Sequence, residues 1–388
     1  MKATLEVLPS RADDLTPELL TAALRSTGAL GVADVTGVDV TPIGHGQGFV
    51  GTSFRCALTY DRAEAGAPRS VIAKMATADT GLKQVFRDFG LYEREVRFYT
   101  QLQHDVSLPT PRCFFARVDS TTGDCLLVLA DLAPATPGDP LTGCGTDDAQ
   151  RAVELVAKMH AQWWDDPRLE KFDWLPAADV QRITQGIDEM YREAWEAFAG
   201  RVGPDFPPAV LDLGERLCEH LPWVLQRLSS APRTLVHGDY QMGNVFYHDN
   251  GLIAAVIDWQ VIIKARGAMD LAHFVARSLT PEERRRSERE LVRHYHETLL
   301  SNGVGAYTLD QCWDDYRLAV MSQFGLGVLL SHGLTASATQ REPDEARDRL
   351  SMVVGGRLIA ALEELRVGEL LPARSGWQRL VPRLLRRR

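Results

Sequence analysis

The sequence predicts an α+β chain of two unequal lobes, and three observations carry that reading. Strand-like alternation is concentrated in the first third of the chain. A stretch rich in Pro and Gly follows over 134–145, and beyond it the pattern is helical apart from one β-like segment over 235–263. We place a small β-rich lobe at 1–133 and a larger, mostly helical lobe at 134–388. A chain of 388 residues, 45% of them hydrophobic, has enough apolar material for two such cores.

Taken in order, Thr16-Pro17-Glu18 reads as a helix start, with Thr16 as N-cap, Pro17 in the first turn and Gly28 as the stop. Residues 35–43 are β-rich and run into a glycine cluster from Gly44 to Gly51. Next, Phe54, Cys56, Leu58 and Tyr60 alternate with Ser53, Arg55, Ala57 and Thr59, which is the period of a strand. A polar turn leads to a second strand, Ser70 to Ala76, with Lys74 inside it. Residues 84–103 predict one helix carrying Glu93 and Glu95, and two apolar runs follow at 113–118 and 125–129. In the second lobe helices are expected over 147–164, 177–199, 210–229, 281–301 and 309–334.

Composition excludes several classes. With 52 acidic and 43 basic residues the net charge is -9, whereas broad nucleic-acid binding needs a basic footprint. Six dispersed cysteines without a CxxC pair read as thiols of a reducing compartment. The first residues lack the apolar core of a signal peptide, and the most apolar late stretch, 318–334, is interrupted by Gln323 and His332. We expect a cytoplasmic protein without stable membrane insertion. The arginine-rich tail, 374–388, reads as solvated, with an acidic partner or membrane surface as the alternative.

Three local patterns carry chemistry. Gly46, Gly48 and Gly51 form GxGxxG, and the strand alternation after it fits a hairpin over nucleotide phosphates better than a dinucleotide site, which needs a helix there. Lys74 sits in an apolar strand, where its charge is costly unless paired, and the next helix offers Glu93 and Glu95. The densest pattern is His237-Gly238-Asp239-Tyr240-Gln241-Met242-Gly243-Asn244, followed by Val256-Ile257-Asp258-Trp259. Asn250-Gly251 predicts a two-residue hairpin turn in which 249 faces 252 and 244 faces 257. Asn244 and Asp258 then lie side by side as hard oxygen donors suited to Mg²⁺, with Asp239 on the loop entering the hairpin.

HGDYQMGN followed by VIDWQ resembles the catalytic segments of the aminoglycoside phosphotransferase and choline kinase superfamily, which has the protein-kinase-like fold. Glu95-Val96-Arg97-Phe98-Tyr99, MHAQWW at 159–164 and Asp258-Trp259-Gln260 resemble its ecdysteroid-kinase-like branch. The resemblance implies ATP and Mg²⁺ as cofactors and a small hydroxylated molecule as acceptor. It also implies Asp239 as catalytic base, Asn244 and Asp258 as metal ligands, and Lys74 paired with Glu95 on the phosphates. Ala130-Asp131-Leu132 stands where the family often has Glu-Asp-Leu, so adenine would meet backbone groups of Ala130 and Leu132.

The expected activity is transfer of the ATP γ-phosphate to a small-molecule hydroxyl. No DFG and APE pair follows Asp258 to suggest a protein acceptor. The competing readings are a nucleotide-binding regulator of the same fold and a metal hydrolase built on His237, Asp239 and Asp258. His160, Trp163 and Trp164 read as core residues, Asp270 as a helix cap, and Asp165-Asp166 and Asp314-Asp315 as solvated helix ends.

Overall fold

The computed structural model describes residues 7–44, 51–179, 186–203, 206–337 and 345–373. Gly46, Gly48 and the arginine-rich tail lie outside them. Helix α1 (Pro17–Ser26) opens the chain, and the Thr16 hydroxyl accepts from the Leu19 N–H as its cap. Strands β1 (Val35–Ile43), β2 (Gly51–Tyr60), β3 (Ser70–Ala76), β4 (Cys113–Val118) and β5 (Cys125–Ala130) form an antiparallel sheet in the order β1-β2-β3-β5-β4. The glycine cluster joins β1 to β2, a strand-to-strand connection as the alternation predicts.

Alternation along β3 decides where Lys74 goes. Val71, Ala73 and Met75 enter a core with Leu20 and Leu24 of α1, Phe54, Cys56 and Val128. Each of the larger side chains among them, Val, Leu, Phe and Met, contributes roughly 1.5–3 kcal/mol by leaving water. Residues 72 and 74 are therefore turned to the opposite face of the sheet.

The single helix expected over 84–103 is instead broken. Helix α2 (Thr80–Asp88), capped by the Asp79 carboxylate, ends at Gly90, whose φ of 70° is left-handed and cannot continue a helix. Helix α3 (Leu91–Arg97) starts afresh and runs into one wide turn at Phe98–Leu102. Val96, Phe98, Tyr99 and Leu102 pack into the large core of the second lobe.

That lobe begins with β6 (Thr136–Pro137), which pairs with β8 (Val245–Tyr247) and so ties the Pro/Gly-rich stretch to the motif region. Helices α4 (Thr146–Gln162), α5 (Ile187–Val202) and α6 (Pro208–Ser229) come next. Of the stretch expected as one helix over 177–199, Ala177 is extended chain bridged to Lys264, and the described helix runs from Ile187. Strands β7 (Thr234–Val236), β9 (Ile253–Val256) and β10 (Ile263–Ala265) frame the motifs. Helices α7 (Ala268–Ser278), α8 (Pro281–Ser301), α9 (Leu309–Ser337) and α10 (Glu345–Glu364) complete the lobe, and the pattern reading had not delimited α7 or α10. Among the described residues no helix is long and apolar enough to cross a membrane.

The β8–β9 hairpin differs from the expected turn in an instructive way. Its loop has three residues, Asp249 to Gly251, closed by His248 N–H to the Leu252 carbonyl, with Gly251 at φ 77°. That slips the register by one. A bulge at Ala254 restores it, so Val245 faces Val256 and Ile257 N–H donates to the Asn244 carbonyl at 2.9 Å. The predicted neighbourhood of 244 and 257 survives through two compensating departures.

Candidate active site

Lys74 projects from β3 into the cleft between the lobes, and its Nζ donates to Glu95 of α3 at 2.8 Å and to Asp258 Oδ1 at 2.7 Å. Glu95 is buried, so the cation is what makes its charge tolerable there. Burial pulls the lysine pKa down, but the two carboxylates outweigh it and hold the amine above its ordinary value. Glu93, the other carboxylate of α3, pairs with Arg97 instead. Asp258 sits at φ 70° without being glycine, a conformation that costs about 1 kcal/mol and aims its carboxylate away from the strand path.

The loop after β7 gathers the other groups. Asn244 Nδ2 donates to both the carbonyl and Oδ2 of Asp239, each at 2.9 Å. With that nitrogen committed, the amide oxygen of Asn244 and the carboxylate of Asp258 are the hard donors that could hold a divalent cation. His237 has no ligand position to offer: its Nε2–H donates to the Ile257 carbonyl and its Nδ1 accepts from the Asp239 N–H. Among the described residues no cluster of three or more His, Cys, Asp or Glu is arranged to hold a metal. The hydrolase reading finds no support in these contacts.

Asp270 is not the helix cap the sequence suggested. It lies in the first turn of α7, fully buried, and accepts from the N–H groups of His237 at 2.7 Å and Gly238 at 2.8 Å. His160 Nε2 lies 3.1 Å from the same carboxylate, while its Nδ1 meets the Tyr295 hydroxyl at 2.8 Å. Three helices, α7, α4 and α8, thereby fix the loop that presents Asp239. Asp315 also departs from expectation, being buried against Arg266 and the Tyr307 hydroxyl rather than solvated.

The model of the ecdysteroid kinase-like family matches residues 45–303. The chain belongs to the ecdysteroid kinase-like family. This places it among small-molecule kinases. Among solved structures it is similar to a type I macrolide 2′-phosphotransferase, with a TM-score of 0.50, 14% identity, and coverage of 90% of this chain and 98% of that one. It is also similar to macrolide 2′-phosphotransferase MphH from Brachybacterium faecium (0.45, 18%, 84% and 99%). A third is aminoglycoside phosphotransferase APH(3'')-Id from Streptomyces rimosus, solved with ADP and streptomycin (0.45, 21%, 80% and 97%). No curated protein matches by sequence. At these identities the likeness is one of fold, the bilobal protein-kinase-like one.

Two further features of this kinase-like chain bear on its site. At the hinge, Ala130 N–H donates to the Arg112 carbonyl, so that amide is not open to a base, and the Leu132 carbonyl accepts from Ala135. Asp131 holds the hinge to the sheet through Arg55 and Ser70. More important are His273 and Arg277, which sequence reading missed. Their spacing from Asp270, three and then four residues, puts all three on one face of α7. His273 Nε2 lies 3.0 Å from Asp239 Oδ1 and 2.8 Å from Arg277 Nη1. Burial alone would push the Asp239 carboxyl up, but His273, Arg277 and His237 outweigh it and hold it well below the carboxylate range.

Proposed function

We propose that this chain transfers the γ-phosphate of ATP to a hydroxyl of a small molecule, with Asp239 as the base. The observation that carries the reading is two sets of paired side chains: Glu95 and Asp258 on Lys74, and Asn244 on Asp239. Phosphoryl transfer needs mainly positioning and charge neutralisation, and these residues are of the kinds that supply both. Lys74, steadied by Glu95, binds phosphate oxygens. Asn244 and Asp258 hold Mg²⁺, which supplies further neutralisation when bound. Asp239 orients the acceptor hydroxyl and takes its proton. A carboxyl held so strongly in its ionised form is a weak but constantly available base, which suits an orienting role.

We further infer a cytoplasmic enzyme acting on a dissolved metabolite or antibiotic, an acceptor class in keeping with membership of a small-molecule kinase family. The test is Asp239→Asn. Release of ADP in the presence of acceptor should fall by about 10²–10⁴-fold, while calorimetric binding of Mg-ATP stays within a few-fold of the parent. Undiminished turnover in that variant would remove Asp239 from the reaction.

A further inference from the structure

We propose that Arg277, with His273, forms an anion-binding wall of the acceptor site, and that the acceptor carries a carboxylate or phosphate close to the hydroxyl it presents to Asp239. The proposal rests on the phosphotransferase reading and deepens it.

Arg277 is a cation short of partners. Among the described residues its guanidinium has one hydrogen bond, to His273 Nε2, its buried Nε has no hydrogen-bond partner, and no carboxylate lies within ion-pair distance. The contact it has is compromised, because the same Nε2 faces Asp239 at 3.0 Å. When that nitrogen carries a proton toward the carboxylate it cannot accept from the guanidinium, and when it accepts, it opposes a lone pair to Asp239. A guanidinium left this way in a half-buried site is costly unless a ligand supplies the anion. Consistently, burial lowers the Arg277 pKa despite the nearby Asp239. Arg357, a buried arginine whose Nη1 reaches the Arg277 carbonyl, shows the contrast: it donates to the carbonyls of Pro140, Leu141 and Arg277 and is satisfied.

Position assigns the anion to the acceptor. Asp239 is held at Oδ2 by Asn244, the expected metal-side group, and at Oδ1 by His273. Arg277 therefore stands on the edge of the carboxylate away from the metal and nucleotide. The hydroxyl approaches that carboxylate, its oxygen bonds to the γ-phosphorus, the bond to the β–γ bridging oxygen breaks with its electron pair leaving on ADP, and the proton passes to Asp239. An acidic group on the same acceptor can meet the Arg277 fork as a bidentate pair. A cationic acceptor would be repelled at the same place.

The experiment measures ADP release from Mg-ATP with hydroxy acids (glycerate, malate, hydroxybutyrate, glycerol phosphate), their neutral amides or parent alcohols, and the amino alcohols choline and ethanolamine. The expected result is turnover of an acidic member, with KM raised about a hundredfold by amidation of that acceptor and by Arg277→Met, and partly recovered in Arg277→Lys. Combining amidation with Arg277→Met should cost little more than either alone. The acceptor-side change needs no folded variant. Turnover confined to neutral or cationic members, or an Arg277→Met defect in kcat shared equally by all acceptors, would overturn the proposal while leaving the kinase reading intact. Mg-ATP binding without turnover of any member would count against both.

Discussion

Asp270 carries a full charge into the interior, where its two oxygens accept from the His237 and Gly238 amides and face His160. Burial pushes its carboxyl up, but those partners outweigh it and hold the pKa below the ordinary 3.8. A carboxyl with a folded pKa below its unfolded one adds stability that is fully present above about pH 4 and lost as pH falls through the lower, folded value. Asp270→Asn should therefore cost about 3 kcal/mol near neutrality in urea denaturation and flatten the acid limb of the stability profile. An unchanged acid limb would mean another group carries that dependence. At this scale the motif residues were legible because HGD…N and IDW place chemistry within a few positions. His273 and Arg277 were not, because their relation to Asp239 depends on which face of α7 meets the loop, and only the spacing from Asp270 hints at it.

The loop between β7 and β8 is held as an element as well as residue by residue. Gly238 stands at φ 87°, and a Cβ there would clash with the Val261 carbonyl, three residues beyond Asp258. Gly238→Ala should destabilise the chain by about 2 kcal/mol and cut Mg-ATP turnover, since relief of the clash moves the segment carrying Asp258. A variant with parental urea midpoint and rate would show that the loop is not so tightly fitted. The sheet strands were readable almost to the residue: Val35–Ile43 from its β-rich composition, and Ser70–Ala76 because one buried face imposes period two. The break at Gly90 was not, since apolar spacing on both sides of it suits a helix and a single left-handed residue leaves no periodic trace. The hairpin register came out right at its open end although its loop holds one residue more than expected.

Across the whole molecule, the lobes are joined by packing and charge together. Phe98 stacks on Trp259 at 3.9 Å with rings 6° from parallel, continuing the core of the second lobe beneath α3. Beside that stack, the Lys74 contact with Asp258 spans the cleft, 184 positions apart in sequence. Such contacts have no signature in local pattern, so the two-lobe division was legible and its closure was not. Lys74→Met would leave Glu95 and Asp258 facing each other without their cation, and calorimetry should show Mg-ATP binding weakened by about 10–100-fold. Equal affinity would detach the lysine from the nucleotide. The most direct test of the account is phosphorus NMR of Mg-ATP incubated with the hydroxylated panel. The account predicts a new phosphomonoester resonance with the parent protein and none with Asp239→Asn, whereas ester formed equally by both proteins, or only free phosphate from the parent, would contradict it.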